Sequence, residues 1–179
     1  MRSSNATRWD APVRLRCTCE PSLGPTLTEN TGASTMGSVA EGSHRKYRVL
    51  LVDDDEHILR AFRTALDDAG YLVETASDGS MALDLIQKER FNTIVSDIQM
   101  PNLGGIDLLK AVRAHDRDVP VILMTGDPSL ETAMRAIEHG ALRYFLKPVR
   151  IAELTNAVEH AVKLHRMAIV KRMALEVLG

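Results

Sequence analysis

From residue 48 onward, short apolar runs alternate with longer segments whose apolar positions recur every three or four residues. RVLLVD (48–53) is a continuous apolar run closed by aspartate, the pattern of a strand buried on both faces. In EHILRAFRTALDDAG, Ile58, Leu59, Phe62, Ala65 and Leu66 share one helical stripe, and Gly70 suits the cap after the last turn. YLVETA (71–76) predicts a second strand. DGSMALDLIQKER predicts a second helix, with Asp78 as its N-cap and Met81, Ala82, Leu85 and Ile86 at helical spacing. TIVSD (93–97) predicts a third strand, PNLGG breaks the chain, and IDLLKAVRAHD predicts a third helix. VPVILMTG (119–126) predicts the fourth strand, SLETAMRAIEHG a helix closed by Gly140, and RYFLK (143–147) the fifth strand, ended by Pro148. A last helix is expected from Arg150 or Ile151, with Leu154, Val158, Ala161 and Leu164 against the sheet.

Five strands alternating with five helices imply a doubly wound α/β fold: a five-stranded parallel sheet, right-handed crossovers, and helices on both faces. In such open sheets the ligand site lies beyond the carboxyl ends of the strands, at a switch in strand order. Strand one ends in Asp53 and Asp54, strand three in Asp97, strand four in Thr125 and strand five in Lys147. Three carboxylates, a hydroxyl and an ammonium are thereby expected on one edge. Carboxylates about 4 Å apart repel by roughly 4 kcal/mol at an effective dielectric of 20. A hard divalent cation would relieve that repulsion, and a shallow, wet edge with oxygen ligands suits Mg²⁺. Any one of these residues alone reads as a cap, turn or surface charge; it is their shared end of the sheet that points to chemistry.

The flanks differ. Residues 1–46, rich in Ser, Thr, Gly and Pro, lack sustained apolar periodicity and are expected to be disordered. Met36 offers an alternative start to Met1. Residues 166–179 extend the last helix as an extension or linker, with Met167, Val170, Met173 and Val177 at spacings of three and four. Such a Met-rich seam suits adaptable contacts, and a homodimer through the C-terminal helix is one arrangement it allows. The chain stops at Gly179 without a DNA-reading helix-turn-helix, which is read as a stand-alone domain or the front of a longer product.

Composition narrows the class. Hydrophobic residues make up 45% and charged residues 26% of the 179, as in soluble globular proteins. A net charge of −2 argues against direct nucleic-acid binding. No apolar run reaches the roughly 18–20 residues of a membrane span, and the basic start lacks the apolar core of a secretory signal, so a cytoplasmic location is expected. Cys17 and Cys19 alone do not complete a zinc site.

The motifs VLLVDDD, IVSDIQMPNLGGIDLL, VILMTG and YFLKP, in this order and spacing, make segment 47–165 resemble bacterial two-component response-regulator receiver domains of the CheY-like, flavodoxin-like fold. The resemblance covers about two-thirds of the chain and implies roles residue by residue. Asp97 is expected as the phosphoacceptor, with Asp53, Asp54, Asp97 and the backbone carbonyl of Gln99 as Mg²⁺ ligands. Asp55, one step beyond the acidic pair, is left as a helix N-cap or a solvated charge. Thr125 and Lys147 are expected to bind the phosphoryl group, and Tyr144 to turn inward when Thr125 moves, changing the surface of helix four, strand five and helix five. Gln99 and Asp127 are expected to line the path of the water that removes the phosphoryl group, with Gly126 leaving it accessible. The Lys147–Pro148 bond is cis in many such relatives. The implied donor is a sensor histidine kinase or phosphotransfer protein, and the chain itself is expected to assist its own phosphotransfer rather than act as an enzyme. Two other readings stand beside this one. One is a Mg²⁺-dependent phosphohydrolase with an Asp nucleophile, which usually carries D-x-D after the first strand and a cap. The other is an interaction module of receiver fold that works without phosphorylation.

Overall fold

The computed structural model describes residues 47–178. The expected disorder of 1–46, the two cysteines and the choice between Met1 and Met36 lie outside the described residues. The elements run β1 (Arg48–Val52), α1 (Glu56–Asp68), β2 (Leu72–Ala76), α2 (Gly79–Lys88), β3 (Thr93–Asp97), α3 (Gly105–His115), β4 (Val121–Thr125), α4 (Leu130–Glu138), β5 (Arg143–Leu146) and α5 (Ile151–Leu178). All four strand pairings are parallel, in the order β2-β1-β3-β4-β5. The chain leaves β1 toward β2 and then returns to its other side as β3, so the switch in strand order falls between β1 and β3.

Side chains alternate across the pleat, and each face of the sheet carries its own core. Leu50, Val52, Ile94, Val121 and Leu123 point toward α2, α3 and α4, where they meet Ala82, Ile86, Leu108, Leu109 and Val112. Val49, Leu51, Val95, Ile122 and Met124 point toward α1 and α5, where they meet Leu59, Phe62, Leu66, Leu154 and Val158. Each fully buried Leu or Ile contributes about 1.5–3 kcal/mol relative to exposure. Burial on both faces explains why the central strands β1, β3 and β4 read as largely apolar runs, while the edge strands β2 and β5 expose Leu72 and Leu146.

Side chains fix the helix ends. Asp55 caps α1 by accepting from the His57 backbone N–H at 2.8 Å, and Asp78 caps α2 by accepting from Met81 at 2.8 Å. Gly70 and Gly140, at φ 90° and 73°, follow α1 and α4 in the left-handed conformation expected beyond a helix end.

The structure corrects several sequence expectations; β2 starts at Leu72 rather than 71, and β4 ends at Thr125 rather than 126. β4 starts at Val121 rather than 119, because Pro120 has no N–H for the ladder, although its carbonyl still accepts from Ile94 at 3.0 Å. β5 ends at Leu146, although the Lys147 N–H still reaches the Thr125 carbonyl at 2.7 Å. Met81 is 45% exposed, because Ala82 and Ile86 take the sheet-facing positions of α2. Leu164 is 37% exposed, and His165 takes its place against the sheet at 6%. Helical geometry accounts for this last shift: ten residues leave Leu164 about 80° away from Leu154, whereas eleven bring His165 to within about 20°. Among the described residues no helix is long and apolar enough to cross a membrane.

Candidate functional site

Asp97, the last residue of β3, is held by its backbone before its side chain does anything. The Ser96 hydroxyl donates to the Asp97 carbonyl at 2.8 Å, and the next N–H, of Ile98, donates to Met124 O at 2.8 Å. Gly105, at the start of α3, packs on the same carbonyl; a Cβ there would lie 2.1 Å from the Asp97 oxygen. A side chain at residue 105 would therefore push the acceptor strand and α3 apart.

Asp53 follows β1 on the neighbouring strand and is 1% exposed. Its Oδ1 accepts from the Asp55 N–H at 3.0 Å and its Oδ2 accepts from Lys147 Nζ at 2.7 Å. Lys147 lies just past β5, before the cis Lys147–Pro148 bond, and also stands 3.3 Å from Asp97 Oδ1. That contact is an ion pair without hydrogen-bond alignment, so Asp97 Oδ1 is buried with no hydrogen-bond partner. Asp54 is exposed at the rim. One oxygen from each of Asp53, Asp54 and Asp97 lies within 4.8 Å of the others.

The electrostatics follow from this crowding. Burial pushes the Asp97 carboxyl above its usual value; Lys147 opposes the shift and Asp53 adds to it. Burial alone would lower the Lys147 ammonium, but Asp53 and Asp97 outweigh it and hold the group above its ordinary value. Three carboxylates against one ammonium leave two negative charges uncompensated. An orphaned buried oxygen facing two more carboxylates fits a hard divalent cation such as Mg²⁺, which takes a few protein oxygens and keeps its waters.

The remaining sequence candidates surround this cluster. Thr125, fully buried at the end of β4, is engaged with its own loop: Oγ1 accepts from the Asp127 N–H and donates to the Asp127 carbonyl, both at 3.2 Å. Gln99 donates its side-chain amide to Asp127 Oδ2 at 3.4 Å, joining the loops that follow β3 and β4. Gly126 is open; a Cβ there would meet nothing within 4 Å. Tyr144 is half-buried on β5, and its hydroxyl lies 2.9 Å from Thr132 Oγ1.

Sequence reasoning missed Thr132. It is the third residue of α4 and forms a capping box with Ser129, so the Tyr144 hydroxyl is tied directly to the N-terminus of that helix. The signal was present as S-x-x-T, but its link to Tyr144 appears only in the fold.

The chain matches the family described as "Response regulator receiver domain" over residues 49–159. It is 40% identical over 118 residues to the two-component response regulator ARR10 of Arabidopsis thaliana, covering 65% of this chain and 21% of that one. It is 38% identical over 120 residues to the regulatory protein AtoC of Escherichia coli K12, covering 67% of this chain and 26% of that one. The chain thus spans about a fifth to a quarter of the length of these curated relatives. Among solved structures, a CheY-like response regulator receiver domain protein from Methanospirillum hungatei JF-1 superposes with a TM-score of 0.66 at 31% identity, covering 68% of this chain and 98% of that one. With its sheet order, its carboxyl-end cluster and these matches together, the chain belongs to the response regulator receiver domain family.

Proposed function

We propose that this protein is the phosphoacceptor of a two-component pathway, taking a phosphoryl group onto Asp97 from a phosphohistidine on a separate sensor kinase or phosphotransfer protein. The observation that carries this reading is the buried Oδ1 of Asp97, which accepts no hydrogen bond, pairs with Lys147 at 3.3 Å and faces Asp53 and Asp54. An Asp97 oxygen attacks phosphorus, the P–N bond breaks, and the imidazole nitrogen keeps the electron pair. Mg²⁺, held by Asp53, Asp54, Asp97 and the Gln99 carbonyl, would supply neutralisation of the carboxylate and phosphoryl charge when bound.

The chain's own residues do the rest. Lys147, already between Asp53 and Asp97, would pair with the phosphoryl oxygens. The Thr125 hydroxyl would leave the Asp127 backbone to donate to the new group, and Tyr144 would turn toward the space vacated. That rearrangement changes the face made by α4, β5 and α5, with a coupling of about 1–3 kcal/mol typical for such linkage. Gln99 and Asp127, bonded to each other, would line the approach of hydrolytic water, and Gly126, with open space where a Cβ would sit, would leave it accessible. Beside Lys147 an apolar shelf of Ile58, Ala61, Phe62, Pro148 and Val149 offers the donor protein a place to rest. In this reading the chain assists its own phosphorylation and dephosphorylation in the cytoplasm and is not an enzyme acting on other substrates.

Intact-mass spectrometry after incubation with acetyl phosphate tests the proposal. One phosphoryl group is expected with Mg²⁺, none with a chelator, and none on Asp97→Ala. Wild-type protein that stays unlabelled, or full labelling of Asp97→Ala, would rule it out. Turnover of a small phosphate ester without an acyl phosphate would favour the hydrolase instead.

A further inference from the structure

Helix α5 is 28 residues long, about 42 Å, and it outlasts the body it packs against. Its sheet-facing line of Leu154, Val158, Ala161, Val162 and His165 gives out at about its midpoint. Beyond it, Met167, Val170 and Val177 are 69%, 66% and 86% exposed, and Ala174 is exposed between them. These four follow the 3-4-3 spacing of a heptad seam, on the side of the helix turned away from the sheet.

The charges flanking Met167 and Val170 are positive, and an acidic group on the same side, Glu159 a turn earlier, is taken up by Lys163. With Met167 and Ala174 at a and Val170 and Val177 at d, Arg166 occupies g, Lys171 occupies e, and Lys163 takes the preceding d. Arg166 lies over the Tyr47 ring, 5.5 Å from its centroid. Lys163 pairs with Glu159 at 2.5 Å, while Lys171 has no ion-pair partner among the described residues. The acidic neighbour of Arg172, Asp118, lies on the body side of the helix and does not balance the seam.

A parallel coil between two copies would set Arg166 of one against Lys171 of the other, twice over by symmetry, with Lys163 in the apolar line. Like charges at these positions oppose pairing and choose the partner. A lipid surface fits less well, because residues 163–178 hold no Trp, Tyr or Phe to seat in an interface.

We propose that the overhanging face of α5, centred on Met167, Val170 and Lys171, docks an acidic amphipathic helix of a partner protein, with Asp or Glu flanking its apolar stripe. This goes beyond phosphorylation and does not rest on it.

The chain itself supplies the probe. The variant Arg166→Glu/Lys171→Glu keeps the apolar seam and presents acidic flanks. By sedimentation velocity at low salt, wild type alone and the variant alone are expected to be monomeric, while their equimolar mixture forms a one-to-one complex about tenfold tighter than either self-association. Raising the salt should weaken that complex. Lys171→Glu alone leaves Arg166 on Tyr47 and sets Arg166 of each copy against the new carboxylate of the other; it is expected to self-associate more tightly than wild type, which guards against misfolding of the double variant. A wild-type dimer as tight as the mixture would overturn the proposal in favour of a second copy. A mixture that does not associate, with both proteins giving native circular dichroism, would overturn it outright. Co-flotation of the wild type with phosphatidylserine–phosphatidylcholine vesicles would overturn it in favour of a lipid surface.

Discussion

Lys147 and Asp53, 94 positions apart in the chain, meet at 2.7 Å, and the same ammonium stands 3.3 Å from Asp97. One cation thus bridges the carboxylates that end two adjacent strands. Lys147→Met would leave two buried carboxylates without it. Breaking a buried pair by removing one partner costs about 3–5 kcal/mol; the 18% exposure of the lysine side chain reduces the expected loss to about 1–3 kcal/mol. Urea denaturation in chelator-containing buffer reads this directly. An unchanged midpoint would mean that the pair has no part in stability.

Asp97→Asn changes the same cluster in the opposite sense. The amide keeps the shape and removes a charge that faces Asp53 in a buried site. Without metal the variant is expected to be about 1–2 kcal/mol more stable than wild type. With Mg²⁺ at a hundred times its Kd, wild type should gain about 2.7 kcal/mol and the variant clearly less. Thermal melts with and without Mg²⁺ compare the two; equal gains would place the ion elsewhere.

Gly105 and Gly126 lie on either side of the acceptor and should respond differently to one added methyl group. At residue 105 the Cβ meets Asp97 backbone that has nowhere to go, so Gly105→Ala is expected to cost about 1–3 kcal/mol and to slow phosphorylation. At residue 126 the Cβ meets nothing, so Gly126→Ala should stay within about 0.5 kcal/mol of wild type. Its expected effect is slower loss of the phosphoryl group, measured as the half-life of the labelled mass. Equal destabilisation by the two substitutions would contradict the asymmetry.

The Tyr144–Thr132 hydrogen bond gives a third kind of test. Tyr144→Phe removes the hydroxyl and should cost about 1 kcal/mol. Thr132→Ala removes the same bond and also half of the Ser129 capping box, and so should cost more. The double variant should fall short of the sum by about 0.5–1.5 kcal/mol, which is the pair's own coupling. Full additivity would show that the bond is not formed in solution.

How much of this was legible before folding depends on whether a feature is periodic or tertiary. Strands buried on both faces print themselves as apolar runs, and a parallel sheet places all their carboxyl ends together. Asp53, Asp97, Thr125 and Lys147 could therefore be grouped without coordinates. For Asp55 the sequence allows a cap or a solvated charge; it caps α1, and its N–H also orients Asp53. Met81 and Leu164 were misplaced because spacing names a stripe but not its angular centre, which other helices set. Thr132, Gly105 and His165 escaped because each matters through a partner that only the fold brings near: Tyr144, the Asp97 carbonyl and Asn92. A lone histidine in a helix carries no sequence signal that distinguishes core from surface.

That histidine yields the pH dependence. His165 is 6% exposed, and its Nδ1 lies 3.2 Å from Asn92 Nδ2. The Asn92 amide is oriented by its other end, since Oδ1 accepts from the Arg48 N–H at 2.8 Å. Nδ2 is therefore the donor, Nδ1 the acceptor, and the ring proton sits on Nε2. Protonating Nδ1 would set donor against donor. Burial pushes the imidazole below its ordinary 6.5; Asp116 and Asp118 pull it back up, and Arg172 opposes them. A group whose folded pKa is depressed takes up protons more readily when unfolded. Its contribution is thus complete above 6.5 and is lost as pH falls through that value toward the folded pKa. Wild-type stability, followed by urea midpoint, is expected to drop between pH 7 and pH 5. His165→Gln, neutral throughout and still able to accept from Asn92, should lower stability at pH 7 yet flatten the slope. If both proteins lose stability in parallel, the acid sensitivity originates in other groups and His165 is not its source.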